Sequence, residues 1–136
     1  MIKIAINGFG RIGRPSFKIA FARDDIQIVA VNDLTDIETV AHLLKYDSSY
    51  GKYNKEVMAD EENNELIVEG TRIKYFSEPN PEKLPWDELE VDVVLECTGV
   101  FETREKAEKH IQAGAKKVIL SAPPKDDIPV YLLGVN

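Results

Sequence analysis

Ile2-Lys3-Ile4-Ala5-Ile6-Asn7-Gly8-Phe9-Gly10-Arg11-Ile12-Gly13 decides how the rest of the chain is read. A short apolar run breaks off at a turn of the form Gly-x-Gly-x-x-Gly. The next apolar run, Ile26 to Val31, ends in Asn32-Asp33. A strand, a turn and a helix laid out in this way can wrap a dinucleotide. Gly8 permits a tight turn, Gly10 lets backbone approach a pyrophosphate, and Gly13 lets the following helix lie close to the strand. The helix then aims its free N–H groups and its positive end at phosphate. Asp33 stands about 20 residues beyond the turn, where a carboxylate accepts hydrogen bonds from a ribose diol. Glycine-rich turns also serve as plain punctuation between strand and helix. Here the flanking strand, the flanking helix and the correctly spaced acid together favour a dinucleotide site.

Composition narrows the classes. The chain has 136 residues, 43% of them hydrophobic, which suits one globular domain with its own core. Its formal charge of −7 disfavours nucleic acid and anionic lipid as partners. Cys97 is the single cysteine, so no internal disulfide is expected, in keeping with a reducing compartment. Lys3 and Asn7 interrupt the N-terminal apolar run, unlike a signal peptide. No run is long enough to span a membrane. The expectation is a cytoplasmic protein.

Ile2 to Ile6 reads as a buried parallel strand. Residues 11–23 read as a helix, with Pro15 in the first turn, where its missing N–H costs little. Ile26 to Val31 is a second strand. Thr35-Asp36-Ile37-Glu38 reads as a capping box leading into a helix whose stripe is Ile37, Val40, Ala41 and Leu44. Residues 46–80 break the alternation. Tyr46 to Gly51 reads as a polar, aromatic loop. Val57 to Ala59, Glu65 to Val68 and Arg72 to Phe76 read as a β-meander turned at Asn63-Asn64, followed by Pro79, Pro81 and Pro85. Then come a strand at Val91 to Leu95, a helix from Glu102 to Ala113 ended by Gly114, a strand at Lys117 to Leu120, and a last strand at Val130 to Val135. The expected fold is α/β: a doubly wound, mostly parallel sheet of the Rossmann type, in one domain over residues 1–136 with a small β-meander insertion at about 46–80.

Four polar clusters fall at carboxyl ends of strands, where open α/β sheets bind ligands. They are Asn7-Gly8, Asn32-Asp33, Glu96-Cys97-Thr98-Gly99 and Ser121-Ala122-Pro123-Pro124. Asp33 also selects among cofactors. A charged hydrogen bond to a ribose diol is worth about 1.5–3 kcal/mol. A 2′-phosphate about 4 Å away would instead cost about 4 kcal/mol per unit charge pair at an effective dielectric near 20. NAD is therefore expected over NADP, with the charge of Arg11 as the one group able to offset part of the repulsion. Cys97 reads first as a small hydrophobe, since no histidine is close in sequence to activate it. His42 and His110 read as structural, the latter as a cation near a helix C-terminus. Glu102 to Lys109 reads as a solvated face. No cluster has metal-ligand spacing.

Asn7-Gly8-Phe9-Gly10-Arg11-Ile12-Gly13-Arg14, Val31-Asn32-Asp33-Leu34, Leu44-Lys45-Tyr46-Asp47-Ser48, Glu96-Cys97-Thr98-Gly99-Val100-Phe101 and Ser121-Ala122-Pro123 occur in this order. With these words the chain, from Met1 to Asn136, closely resembles the N-terminal, NAD-binding part of phosphorylating glyceraldehyde-3-phosphate dehydrogenases of the bacterial and eukaryotic type. The resemblance implies a site at Asn7, Gly8, Gly10, Arg11, Ile12, Asp33, Pro79, Thr98, Gly99, Phe101 and Ser121. Backbone at Arg11 and Ile12 would hold pyrophosphate, and Asp33 the adenine ribose. Thr98, Gly99 and Phe101 would line the adenosine side, and Ser121 would lie near the nicotinamide half. Pro79 stands where the family usually has a basic residue near the adenine, leaving a carbonyl for the adenine amino group.

The family's nucleophilic cysteine lies in a Ser-Cys-Thr-Thr-Asn segment that this sequence does not contain, and neither histidine matches the catalytic one. The expectation is a cofactor domain without its catalytic domain, a truncated product that binds NAD without turnover. The missing domain or sister subunits of a homotetramer are the expected partners. Two other readings stand beside it. One is a non-enzymatic nucleotide-binding or assembly module, with its partner surface at Tyr46 to Tyr53, Tyr75 and Phe76. The other is the cofactor domain of a different dehydrogenase.

Overall fold

The computed structural model describes residues 1–47, 51–100, 103–121 and 128–129. The element order is β1 (Ile2–Asn7), α1 (Gly13–Phe21), β2 (Ile26–Asn32), α2 (Ile37–Lys45), β3 (Tyr46–Asp47), β4 (Gly51–Lys52), β5 (Val57–Asp60), β6 (Glu65–Val68), β7 (Thr71–Phe76), a 3₁₀ turn (Pro81–Lys83), β8 (Val93–Glu96), α3 (Arg104–Gln112) and β9 (Lys117–Leu120). Seven strands form one sheet in the order β5-β6-β7-β2-β1-β8-β9. The five from β7 to β9 are parallel, and β5 and β6 fold back antiparallel on the β7 edge. The chain fills one side of β1 with β2 and β7, then crosses to the other with β8 and β9. The strand order thus reverses between β1 and β8, which opens a crevice beyond their carboxyl ends.

Both faces of the sheet are covered at β1, so this strand shows no polar alternation. Ile4 and Ile6 face one core, with Phe9 and Phe17 beside α1, and Val40 and Leu44 of α2. Ala5 faces the other, with Ala30, Leu84, Trp86, Val91, Val94 and Ala113. The small side chains of Ala5 and Ala30 leave room for the indole of Trp86, which is fully buried. The register of β1 against β2 slips between Ile4 and Ala5, where Ile28 and Ala30 are the successive partners. The extra residue, Val29, is a β-bulge, and it turns both Ile28 and Val31 toward the first core.

Several expectations need correction. Thr35 does not cap α2. Asp36 does, its Oδ2 accepting the N–H of Thr39 at 3.0 Å while Oδ1 accepts the Thr39 hydroxyl at 2.8 Å. An acid binds the first-turn amide and dipole more strongly than a hydroxyl, which moves the start by one residue. The Tyr46 loop is flanked by a two-stranded ladder, Tyr46–Asp47 against Gly51–Lys52. Helix α1 is shorter than the residue 11–23 reading, and β8 begins at Val93, not Val91. The last turn of α3 is followed by Gly114 at φ +116°, where a Cβ would lie 2.5 Å from Asp87. The strand expected at Val130 to Val135 lies outside the described residues.

Candidate cofactor site

The glycine turn is built as its spacing suggests, with one refinement. Gly8 has φ +93°, and a Cβ there would come 2.7 Å from the backbone N of Thr98. Its bareness serves both the turn and the approach of the loop after β8. A Cβ on Gly13 would lie 2.1 Å from the carbonyl oxygen of Gly8, and 3.4 Å from Ile6 on β1. Gly13 is what lets α1 start directly behind the turn. At Gly10 a Cβ would meet nothing within 4 Å. That glycine leaves space on the solvent side, where only an external group would touch it.

The turn ends at an unprotected helix start. Ile12 occupies the N-cap without any side-chain cap, and the first turn carries no acid. The N–H groups of Arg11, Ile12 and Gly13 have no acceptor among the described residues. Such amides at the positive end of a helix require an anion or water. Free donors on exposed Arg11 and Ile12, beside a bare glycine, are the chemistry a diphosphate requires.

The turn is also pre-set. The Phe9 N–H donates to Asp33 Oδ2 at 2.6 Å, and the Phe9 carbonyl accepts from Arg14 Nη1 at 2.9 Å. The Phe9 ring packs edge-on against Phe17, with ring centroids 5.5 Å apart. Arg14 reaches on to Asp47, Nε to Oδ2 at 3.6 Å. Asp33 Oδ1 in turn accepts the N–H of Thr35 at 2.9 Å. Each carboxylate oxygen keeps a further lone pair, so Asp33 can still receive a sugar hydroxyl. Tyr75 donates its hydroxyl to the carbonyls of Asp33 and Thr35. Burial, and secondly the charge of Asp33, pushes the Tyr75 phenol well above its ordinary range, so it remains a donor.

A cleft of about 390 Å³ follows from this arrangement. Asn7, Gly8, Gly10, Asn32, Asp33, Pro79, Cys97 and Thr98 line it. Three of the four strand-end clusters therefore converge. Ser121, of the fourth, sits behind Glu96, its hydroxyl donating to the Glu96 carbonyl at 3.2 Å. Gly99 (φ +75°) continues the Thr98 turn at the rim. Arg11 and Ile12 are exposed beside the cleft. Pro79 is held in place from behind. Asn32 Nδ2 donates to the Glu78 carbonyl at 2.9 Å, and Asn32 Oδ1 accepts the Glu78 N–H at the same distance. Phe101 lies outside the described residues, as do Ala122, Pro123 and Pro124.

Sequence reasoning missed the wall behind the cleft. Asn7 is 2% exposed. Its Nδ2 donates to Glu96 Oε1 at 2.6 Å, and its Oδ1 accepts from Asn32 Nδ2 at 2.7 Å. Its side chain is thus engaged inside the wall. His110 is fully buried, which corrects its reading as a cation at the end of α3. Its Nε2 lies 2.8 Å from Glu96 Oε1, and Trp86 Nε1–H donates to its Nδ1 at 3.0 Å. Ala107, His110 and Ala113 share one face of α3, and this i, i+3 series was the available signal.

Other expectations can be placed. Burial pushes the Cys97 thiol up, with the Glu96 charge acting in the same direction, so the residue is a poor thiolate. The His42 ring packs at a tilt against Tyr46, centroids 5.1 Å apart. The proposed partner surface is corrected. Tyr53 and Tyr75 are buried, and Phe76 packs edge-on against Trp86. Tyr46 alone of that set is a described exposed aromatic. Among the described residues no three His, Cys, Asp or Glu gather to hold a metal, and no helix is long and apolar enough to cross a membrane.

The family model described as glyceraldehyde 3-phosphate dehydrogenase, NAD binding domain, matches residues 2–104. The chain belongs to this NAD-binding family. Its relatives include glyceraldehyde-3-phosphate dehydrogenases of Thermotoga maritima, 56% identical over 138 residues, and of Clostridium pasteurianum, 52% identical over 136 residues. The cytosolic enzyme of Leishmania mexicana is 50% identical over 136 residues. Each alignment covers 100% of this chain and 40–41% of the relative. The chain thus spans about two fifths of the length of the curated glyceraldehyde-3-phosphate dehydrogenases it matches. The doubly wound sheet, the NAD cofactor and the resemblance drawn from the sequence words all agree with this membership.

Proposed function

We propose that residues 1–136 form one cofactor-binding unit, the NAD platform of a phosphorylating glyceraldehyde-3-phosphate dehydrogenase. The observation that carries this is the uncapped start of α1 beside Gly10, with Asp33 fixed across the turn. The amides of Arg11 and Ile12 hold the pyrophosphate, Gly10 leaves it room, and Asn7 and Gly8 form the floor. Asp33 takes the ribose diol on its remaining lone pairs. The carbonyl at Pro79 receives the adenine amino group. Thr98, Gly99 and Phe101 flank the adenosine, and Ser121 lies toward the nicotinamide. When bound, NAD supplies the hydride acceptor for oxidation of an aldehyde to an acyl phosphate. The chain's own part is to bind and orient that cofactor. Cys97 is half-buried with its thiol pushed up, and no described histidine touches it, so it does not serve as the nucleophile. The site is cytoplasmic in this reading, in line with the unpaired cysteine and the name of the Leishmania relative.

The geometry also argues for NAD over NADP. Asp33 is anchored by two amides and cannot swing away from a 2′-phosphate. Calorimetric titration of the 136-residue chain tests the proposal. NAD binding that exceeds NADP binding at least tenfold supports it. Equal affinities, or no binding, overturn it. The same chain mixed with glyceraldehyde 3-phosphate, phosphate and NAD is expected to form no NADH.

A further inference from the structure

Glu96 closes β8, is 3% exposed, and faces four donors. Oε1 receives Asn7 Nδ2 at 2.6 Å and His110 Nε2 at 2.8 Å. Oε2 receives the Thr98 N–H at 2.9 Å and the Thr98 hydroxyl at 2.6 Å. Among the described residues no Lys or Arg pairs with it. The chemistry of the partners assigns the protons. An indole N–H only donates, so His110 Nδ1, which receives Trp86 Nε1–H, carries no hydrogen. His110 is therefore neutral, with its proton on Nε2 and directed at Glu96. Two donors on each oxygen, three of them N–H groups that cannot accept, fit a carboxylate. Glu96 is a buried anion balanced by hydrogen bonds, a form that is stable only while every donor is in place.

The two ends of this carboxylate hold different walls of the cleft. One end orients Asn7, which in turn holds Asn32, and Asn32 holds the Glu78–Pro79 loop. The other end shapes the Thr98–Gly99 turn, where the Thr98 hydroxyl also accepts the Val100 N–H at 3.1 Å. We propose that Glu96 is a positioning residue for cofactor binding: it fixes the Thr98 turn and the Asn7–Asn32 wall as one rigid unit, and neutral His110, oriented by Trp86, keeps it in register. Resting on the NAD reading above, this adds a shell of residues that touch no cofactor yet set its affinity.

Glu96→Gln is the decisive substitution. It keeps the shape and replaces one acceptor oxygen by a donor NH₂. Turned toward Thr98, that group opposes the Thr98 amide; turned toward α3, it opposes His110 and Asn7. The expected result is at least tenfold weaker NAD binding by calorimetry, with faster hydrogen exchange at the Thr98 amide and a folded spectrum otherwise. His110→Phe, which keeps a ring and removes both nitrogens, should weaken NAD similarly. His110→Gln, which retains a donor and an acceptor, should recover most of the affinity. NAD binding by Glu96→Gln or His110→Phe equal to wild type overturns the proposal. Should those variants fail to fold, ¹⁵N spectra of the unaltered chain decide. The single tryptophan gives one unambiguous indole signal, and a coupled His110 with unprotonated Nδ1 supports the arrangement. A protonated Nδ1, or a Thr98 amide exchanging like an open loop, overturns it. Failure of the unaltered chain to bind NAD counts against the cofactor reading, whereas the spectra judge the Glu96 arrangement separately.

Discussion

Asp33 Oδ2 accepts the backbone N–H of Phe9 at 2.6 Å, so the residue expected to grip the ribose also holds the glycine turn shut. Affinity and cofactor choice are consequently joined in one side chain. Asp33→Ala frees the amides of Phe9 and Thr35 as well as removing the sugar contact. NAD affinity should fall by at least tenfold, from a charged hydrogen bond of about 1.5–3 kcal/mol, and urea unfolding should show a loss of about 1–3 kcal/mol. NADP affinity should change much less. A variant with wild-type stability would show that the Phe9 clasp contributes nothing.

The three glycines of the turn should separate into two classes. Gly8→Ala and Gly13→Ala place a methyl 2.7 Å and 2.1 Å from backbone atoms, and Gly8 adds a left-handed φ. Each should destabilise the chain by about 1–3 kcal/mol or more in denaturant titration. Gly10→Ala meets open space and should unfold like wild type while binding NAD at least tenfold more weakly. A Gly10→Ala chain with unchanged NAD affinity would remove the cradle from the argument.

Acid should loosen the β-meander. Hydrogen bonds from Asn63 and Arg72 hold the Asp60 carboxyl down at about 2. Asp92 and Glu65 are lowered too, by the Lys3 amide with Lys116 and by Lys74 with Arg72. A carboxylate whose folded pKa is depressed contributes stability above its unfolded value near 3.9, and that contribution is lost as pH falls toward the folded value. Melting temperature should therefore drop between about pH 4 and pH 2. Asp60→Asn should melt lower at pH 7 and show a shallower drop. A parallel pH profile for this variant would contradict the assignment.

Cys97→Ala should leave NAD binding within about twofold and folding intact, since a half-buried thiol acts as a small hydrophobe. Alkylation of the unaltered chain by iodoacetamide near neutral pH should be slow compared with a free thiol. Rapid, stoichiometric labelling would show a thiolate that the surroundings do not favour.

What could be read from the sequence was what repeats locally. Ile2 to Asn7, the glycine turn and the Ile37, Val40, Ala41 and Leu44 stripe each declare themselves within one element, because sheet and helix periods act over a few residues. Asp33 was legible through its spacing. Three features were not. The bulge at Val29 exists only in the pairing of β2 with β1. The choice of Asp36 over Thr35 as the cap turned on competition between neighbouring acceptors. The Asn7–Glu96–His110 wall joins residues 89 and 103 positions apart, with a histidine where a helix pattern calls for an apolar side chain. Polar atoms buried this way leave no periodic trace, because what selects them is a partner from a distant segment.

The bare beginning of α1 has a consequence beyond recognition. Among the described residues no carboxylate satisfies those amides, so whatever anion settles there adds stabilisation that grows with the logarithm of its concentration. Melting temperature then becomes a gauge of nucleotide supply. In a cell the lifetime of this chain against proteases would lengthen when dinucleotide is plentiful and shorten when it is scarce, tying the abundance of the protein to the molecule it holds.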